Sequence, residues 1–279
     1  MPNLQIVKQK VAEADARTGG SLLVKVNAAQ AAMVSKRVNP NQQWEVILLV
    51  DASGSMADWY ANNAVQQAVE RALGFAVIVD DDGKVPVVTF GQRKPELRHR
   101  SPRNEEELIS RYVVDLDNYH GFIRNNDITA DWGTPMTEAV IHAADIAGHA
   151  DLFPGGVVST HNDPVIRPSK KTTLVVVVCD GRPNNTRSMS DAIRVCSHRS
   201  MEFKFLFVGN DRAGWSYLEG LDDDIPVGKK FSRGGRLFDN VDSKKVDLRA
   251  SDEAFYADML DELSGARTDM VSKKLLVTA

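Results

Sequence analysis

Apolar positions recur in two rhythms along this chain, and the points where the rhythm changes mark its elements. Residues 3–17 carry Leu4, Val7, Val11 and Ala14 at helical spacing and stop at Gly19-Gly20. A second helical run covers 22–36, with Val26, Ala29 and Met33 on one face, and ends before Asn39-Pro40. Glu45–Val50 is instead a short, nearly unbroken apolar run and predicts a strand. Ala57–Val79 returns to the helical period, with Val65, Ala68, Val69, Ala72, Leu73 and Ala76 turned inward. The acidic turn Asp80–Gly83 leads into a second strand, Val85–Phe90, and a third short strand is expected at the edge, around Leu97–His99. Residues 104–111 read as helical, Asn118–Asn125 as another short helix, and Pro135–Ala147 as an amphipathic helix through Met136, Ala139, Val140, Ala143 and Ile146. Residues 150–170, with Pro154, Gly155-Gly156, Pro164 and Pro168, form a long connection. Leu174–Cys179 is a β-branched run of the kind that suits a central parallel strand covered on both faces. A helix over 190–199, a strand at Phe203–Val208 and a last helix at Asp252–Leu263 complete the pattern.

Strands alternating with helices in this order predict an α/β fold with a doubly wound, mostly parallel sheet. Residues 1–40 are too short to bury a core of their own. They are expected to form an N-terminal helical extension packed on a main domain spanning 41–270. Bulk composition changes this picture little. At 279 residues, 43% hydrophobic and 26% charged, the chain is an ordinary globular one. A formal charge of −4 gives no electrostatic case for nucleic acid or an anionic membrane as partner. No apolar run reaches the ~18 residues of a membrane span, and the N-terminus lacks the apolar stretch of a signal peptide. The two cysteines, Cys179 and Cys196, read as buried free thiols, which fits a reducing cytoplasm.

The candidate chemistry sits where the first strand ends, at Asp51-Ala-Ser53-Gly-Ser55. One carboxylate and two hydroxyls on a tight loop are hard oxygen donors, the type preferred by Mg²⁺, Mn²⁺ and Ca²⁺. Thr134 opens a helix in Trp132-Gly133-Thr134-Pro135, with Pro135 at the favoured first helical position, and Asp180 ends the central strand. Asp51, Ser53, Ser55, Thr134 and Asp180 thus converge from three loops at the carboxyl ends of strands, where open α/β sheets bind ligands. If neutral hydroxyls make the direct contacts, the ion keeps much of its charge and can take an anionic oxygen from a partner. Trp132, Met56, Arg182 and Asn184 flank these loops as candidate rim residues, and Asp131 as a support for the metal loop.

These motifs, DASGS, WGTP and VCDG, together resemble a von Willebrand factor type A (vWA) domain from about residue 45 to 265. The resemblance implies a six-stranded Rossmann-like sheet with strand order 3-2-1-4-5-6 and a metal-ion-dependent adhesion site at the five residues above. A narrower likeness, to the TerF-like tellurium-resistance and copine-related branch, rests on VDDDGKVPVVTFG at 79–91, NYHGFI at 118–123, FVG at 207–209, YLEGLD at 217–222 and FDN at 238–240. That branch implies cytoplasmic bacterial or phage stress-response proteins that bind partners through the metal.

Competing chemistries lack their residues. The histidines at 99, 120, 142, 149, 161 and 198 show no HExxH spacing, and Asp80–Gly83 lacks the spaced ligands of an EF-hand. Asp222–Asp224 reads as a solvated turn, and Asp115 and Asp117 as surface carboxylates. GxxxxGK[ST] and GxSxG are absent, and a dehalogenase-type phosphatase would need Asp where Ser53 stands. The expectation is a non-enzymatic, Mg²⁺-dependent module that binds a partner protein's carboxylate. The alternatives are a Mg²⁺-dependent phosphoryl-transfer or hydrolytic enzyme and a structural component whose metal only stabilises the fold.

Overall fold

The structure, a computed structural model, describes residues 4–39, 42–80, 82–97, 99–158, 163–228 and 234–277. Its centre is β1 (Trp44–Asp51) paired in parallel with β4 (Thr172–Cys179), in the register Leu48↔Val176. Both strands are apolar on both faces because helices cover the sheet on both sides, so neither face can tolerate a polar stripe. β2 (Val85–Phe90) and β5 (Met201–Phe207) flank this pair, and β6 (Val241–Lys245) adds to β5. β3 (Ile109–Val114) closes the other edge as the single antiparallel strand of the sheet. The resulting order, β3-β2-β1-β4-β5-β6, agrees with the order that the sequence resemblance implies. It is the doubly wound α/β architecture, and β1 and β4 diverge at its switch point.

The pleat divides the core in two. Val46, Leu48, Val50, Leu174, Val176 and Val178 face one layer of helices, while Ile47, Leu49, Val175, Val177 and Cys179 face the other. The first layer contains α1 (Leu4–Thr18), α2 (Leu22–Ser35), the five-residue α3 (Ala57–Ala61) and α4 (Ala64–Val79). The short α5 (Phe122–Asn125) lies on the same side. On the opposite face lie α6 (Met136–Ile146), α7 (Thr186–Cys196) and α8 (Arg212–Glu219). The chain finishes with α9 (Asp252–Met259) and α10 (Leu263–Ser272), which return to the first face through Phe255, Tyr256, Met259 and Leu263.

The N-terminal helices are part of this layer. Val7, Val11, Ala14, Leu22, Val26, Ala29 and Met33 are buried in the same cluster as α4 and β1. The turn between α1 and α2 is held by Asp15, whose carboxylate accepts from the backbone N–H groups of Leu22 and Leu23, at 2.8 Å each. An anion from the end of one helix thereby satisfies free donors at the start of the next, a position the helix dipole favours. Lys25, buried on α2, pairs with Glu70 of α4 at 3.0 Å, so one charged pair sits under the helical layer.

The sequence pattern misses β6, α8 and α10, and it fails at three further places. No strand forms at Leu97–His99: Pro95–Leu97 is a 3-10 turn, and Arg98 lies outside the described residues. The helix expected at 104–111 is only a turn, Glu105–Leu108, before the chain extends into β3. The single long helix expected from Ala57 to Val79 is broken at Asn62-Asn63, where Asn63 takes a left-handed φ of 65°. The 150–170 connection holds two short turns, and its described part is anchored. Leu152 and Phe153 are buried, and the fully buried Arg199 donates to Asp151 (2.6 Å) and to the Val165 carbonyl (2.6 Å). Residues 159–162, which include His161, lie outside the described residues, as does Asp81 of the acidic turn. Among the described residues, no helix is long and apolar enough to cross a membrane.

Candidate metal centre

Asp51 is the last residue of β1, and Asp180 directly follows β4, so the switch point places both carboxylates at one end of the sheet. The chain turns sharply after Asp51, because the Ser53 N–H donates back to Asp51 Oδ1 at 2.8 Å. That turn brings the Ser53 and Ser55 hydroxyls within 3.2 Å of each other, and Ser55 Oγ donates to Asp180 Oδ1 at 2.8 Å. Four of the five residues singled out in the sequence are therefore joined by hydrogen bonds, Asp51 through the Ser53 backbone N–H.

The second oxygen of Asp51 is the informative atom. Asp51 is completely buried, and its Oδ2 has no hydrogen-bond partner among the described residues. Burial raises its pKa from 3.8 to about 7, with the negative charge of Asp180 adding to the rise and the bonds from Ser53 opposing it. Burial likewise raises Asp180. A buried carboxylate oxygen without a partner is costly unless a cation shares the space. The donors around it are all oxygens, as Mg²⁺, Mn²⁺ or Ca²⁺ requires. The residues present fit a hard divalent ion.

The third loop is threaded against the first. Gly54 N–H donates to the Trp132 carbonyl (3.0 Å), Asp131 N–H to the Ala52 carbonyl (2.8 Å) and Trp132 N–H to the Gly91 carbonyl (2.7 Å). Gly91 sits at the crossing with φ +107°, and a Cβ there would lie 2.7 Å from both Ser53 N and the Gly133 carbonyl. Thr134 follows on this loop. Its N–H donates to Asn184 Oδ1, and its carbonyl accepts from Asn184 N–H, both at 3.0 Å. The loop after Asp180 thus clamps the loop that carries Thr134. Among the described residues, no hydrogen bond joins the Thr134 hydroxyl to the other four candidates.

Residues 43–151 match the family model of the vWA domain found in the TerF C terminus. Over those residues the chain carries a vWA domain of the TerF-like type. A Bacillus subtilis (strain 168) protein, YcbR, described as uncharacterized, is 24% identical over 217 residues, covering 77% of this chain and 74% of its own. Among solved structures, the manganese-loaded TRAP protein of Plasmodium vivax aligns at a TM-score of 0.45 and 14% identity, over 80% of this chain and 74% of that one.

Around the vWA site, the candidate rim residues separate into those that line a surface and those that do not. Trp132 is exposed, with the Arg93 guanidinium 5.5 Å from its ring. Met56 is fully buried and belongs to the core, not the rim, because the chain passes inward through the turn Gly54–Met56. Asn184 is a structural tie: besides holding Thr134, it donates to Glu105 Oε1 at 2.9 Å. Asp131 supports the Asp51–Ser55 loop through its backbone, while its carboxylate is paired with Arg93 (2.7 and 3.1 Å).

Two groups near these loops escaped the sequence reading. Tyr60 donates its hydroxyl to the Asp51 carbonyl at 3.0 Å, and nothing in a helical stripe distinguishes such a tyrosine from a packing residue. Glu138, in the first turn of α6, is pushed up to about 8 by burial and by the neighbouring carboxyl of Glu105. Those two carboxyls lie far apart in sequence and only the fold joins them.

Proposed function

We propose that this vWA domain is a metal-dependent protein-binding module that recognises a carboxylate on its partner. The observation that carries the reading is the buried Oδ2 of Asp51, without a hydrogen-bond partner among the described residues and set among two serine hydroxyls and the Asp180 carboxylate. Asp51, Ser53, Ser55, Thr134 and Asp180 would hold Mg²⁺, with Mn²⁺ or Ca²⁺ as substitutes. A bound ion would supply an electrophilic point for an anionic oxygen. The chain's own residues do the rest. Asp180 orients the Ser55 hydroxyl, the Gly91 crossing fixes the spacing of the loops, and the eleven-residue α6 presents its positive end from the Thr134 side. The helix after Ser55 is only five residues long and adds little to that field.

A binding role, not catalysis, suits the groups at the site. The nearest thiol, Cys179, is buried and held well above its ordinary pKa by burial and by Asp51 and Asp180, so it remains a protonated, inert packing group. The TerF-like likeness extends the proposal to a cytoplasmic stress-response role, and two buried free cysteines are consistent with a reducing compartment.

The test is capture of partners from a bacterial lysate in Mg²⁺ and in EDTA, with the wild type and Thr134→Ala side by side. Retention should need Mg²⁺ and fall at least tenfold in Thr134→Ala, while the melting temperatures of the two apo proteins stay close. Short acidic peptides should compete, and their amide counterparts should not. Retention that ignores EDTA, or turnover of generic phosphoesters that depends on Mg²⁺ and Asp51, would overturn the reading.

A further inference from the structure

At the end of the sheet opposite the metal loops, β5 and β6 begin beside the start of α10. An open pocket of about 540 Å³ lies there. Glu202, Asp239, Glu262 and Asp269 line it together with small and hydroxyl residues, and no lysine or arginine lines it among the described residues. Glu202 is the unusual member. It is 2% exposed on the second position of β5, and its Oε2 has no hydrogen-bond partner among the described residues.

Lys204 and Arg236 act on Glu202 through their charge, but neither makes a hydrogen bond or ion pair with its Oε2 among the described residues. Lys204 pairs with Asp242 and donates to the Asp261 carbonyl at 2.8 Å. Arg236 pairs with Asp239 at 2.9 Å and donates to the Asp222 carbonyl. A second acidic group lies close by, where Asp242, Asp261 and Glu262 bring their oxygens within 4.8 Å of one another. That group is a salt-bridge network: Lys244 contacts all three residues, at 3.4, 3.0 and 3.9 Å, and Lys36 reaches Asp261 at 2.8 Å. Glu262 belongs to both groups and Asp239 is held by Arg236, but Glu202 sets the pocket apart. It gives the pocket a buried oxygen with neither a hydrogen bond nor an ion pair among the described residues, and no three of the pocket carboxylates converge as closely as that lysine-bound group. Separated negative charges around an open space suit an extended cation better than a single metal ion, which needs its oxygens within one coordination sphere.

We propose that this pocket binds a primary ammonium on an aliphatic chain, with Glu202 as the buried anchor and Asp239, Glu262 and Asp269 as the acidic rim. The ammonium supplies three donors, and its methylene stem can lie along the apolar parts of the wall. Such a group occurs on free polyamines and on lysine side chains. The site is independent of the metal loops and stands whether or not they bind an ion.

Isothermal titration of the full chain, stripped of metal with EDTA and then dialysed, tests the assignment with spermidine and with a trilysine peptide in separate cells. Ca²⁺ is titrated into Asp51→Ala, where the metal loops lack their central carboxylate. We expect saturable one-site binding of an ammonium ligand, unchanged in Asp51→Ala and weakened at least tenfold in both Glu202→Gln and Asp269→Asn. Asp269→Asn alters only the rim, so it decides the matter if Glu202→Gln fails to fold. Binding of spermidine alone would identify free polyamines as the source, binding of trilysine alone would identify peptide lysines, and binding of both would identify the ammonium group in general. No saturable ammonium binding, tighter binding of Ca²⁺ than of either ammonium ligand to Asp51→Ala, or ammonium binding indifferent to Asp269→Asn would overturn the proposal.

Discussion

Replacing Asp51 by Asn tests the metal centre through stability rather than through partner binding. In the metal-free protein Asp51 is buried, and its carboxyl is lifted from 3.8 to about 7. At about 1.4 kcal/mol per pH unit, ionising it in the folded state costs on the order of 4 kcal/mol more than in the unfolded chain. A folded-state pKa above the unfolded one means that the native protein holds the extra proton between those values. Metal-free stability should therefore fall as pH rises from about 4 to about 7 and level off above, with Asp180, raised in the same direction, adding to the slope. The asparagine side chain cannot ionise, and its carbonyl oxygen can still accept from Ser53 N–H. The variant loses that slope and leaves one unpartnered amide, at roughly 1–3 kcal/mol. In EDTA at pH 8, Asp51→Asn should be as stable as the wild type or more so, by about 1–3 kcal/mol. Saturating Mg²⁺ should reverse the order, since a ligand at about 100 times its Kd stabilises by about 2.7 kcal/mol. Urea melts at pH 5 and pH 8, with and without Mg²⁺, read all four corners. A variant that keeps the full Mg²⁺ response, or a metal-free wild type whose stability is flat between pH 4 and 7, would refute the reasoning.

Two further outcomes follow from the packing. Gly91→Ala should sharply reduce the Mg²⁺-induced rise in melting temperature, because the new Cβ would force apart Ser53 N and the Gly133 carbonyl, each 2.7 Å from it; an unchanged metal response would show that the crossing does not set the site. Leu22→Ala, at a fully buried position of α2, should cost about 2–5 kcal/mol in chemical denaturation, and removal of residues 1–40 should cost more still, whereas a truncated chain as stable as the full one would show that the helices contribute nothing to the core.

Much of the fold was legible because its central elements obey simple periodicities. β1 and β4 are apolar on both faces, so their runs stand out, and the inward positions expected on α4 are all buried, within a helix that is buried nearly all round. The failures have a common cause: tertiary contacts decided them, not local preference. β6, Val-Asp-Ser-Lys-Lys, carries charges where a strand pattern expects apolar residues. Those charges are matched across the sheet, with Asp242 opposite Lys204 in register and bonded to it. β3 alternates buried and exposed positions only weakly, and its glutamate-rich lead-in reads as helix until pairing with β2 extends it. Asp222, taken for a solvated turn residue, accepts from Ser243 N–H at 2.8 Å and is lifted by burial to about 6.

The candidate site divides along the same line. Asp51, Ser53, Ser55 and Asp180 were readable because a carboxylate and hydroxyls directly after an apolar strand have few structural uses, and the fold joins all four through hydrogen bonds. What holds them there was not readable. Gly91 looks like any glycine after a strand, and only the crossing of two loops shows why a side chain is excluded at φ +107°. Asn184 looks like rim, yet its amide fixes Thr134 with one end and Glu105 with the other. The identity of the candidate ligands is thus local to a motif, while their placement depends on three loops that lie far apart along the chain. A substitution at a supporting residue should change metal affinity through geometry while leaving every donor atom in the chain. Comparing Gly91→Ala with Asp51→Asn therefore separates the two contributions: the first should weaken the ion's hold in proportion to the displacement of the loops, the second should remove it.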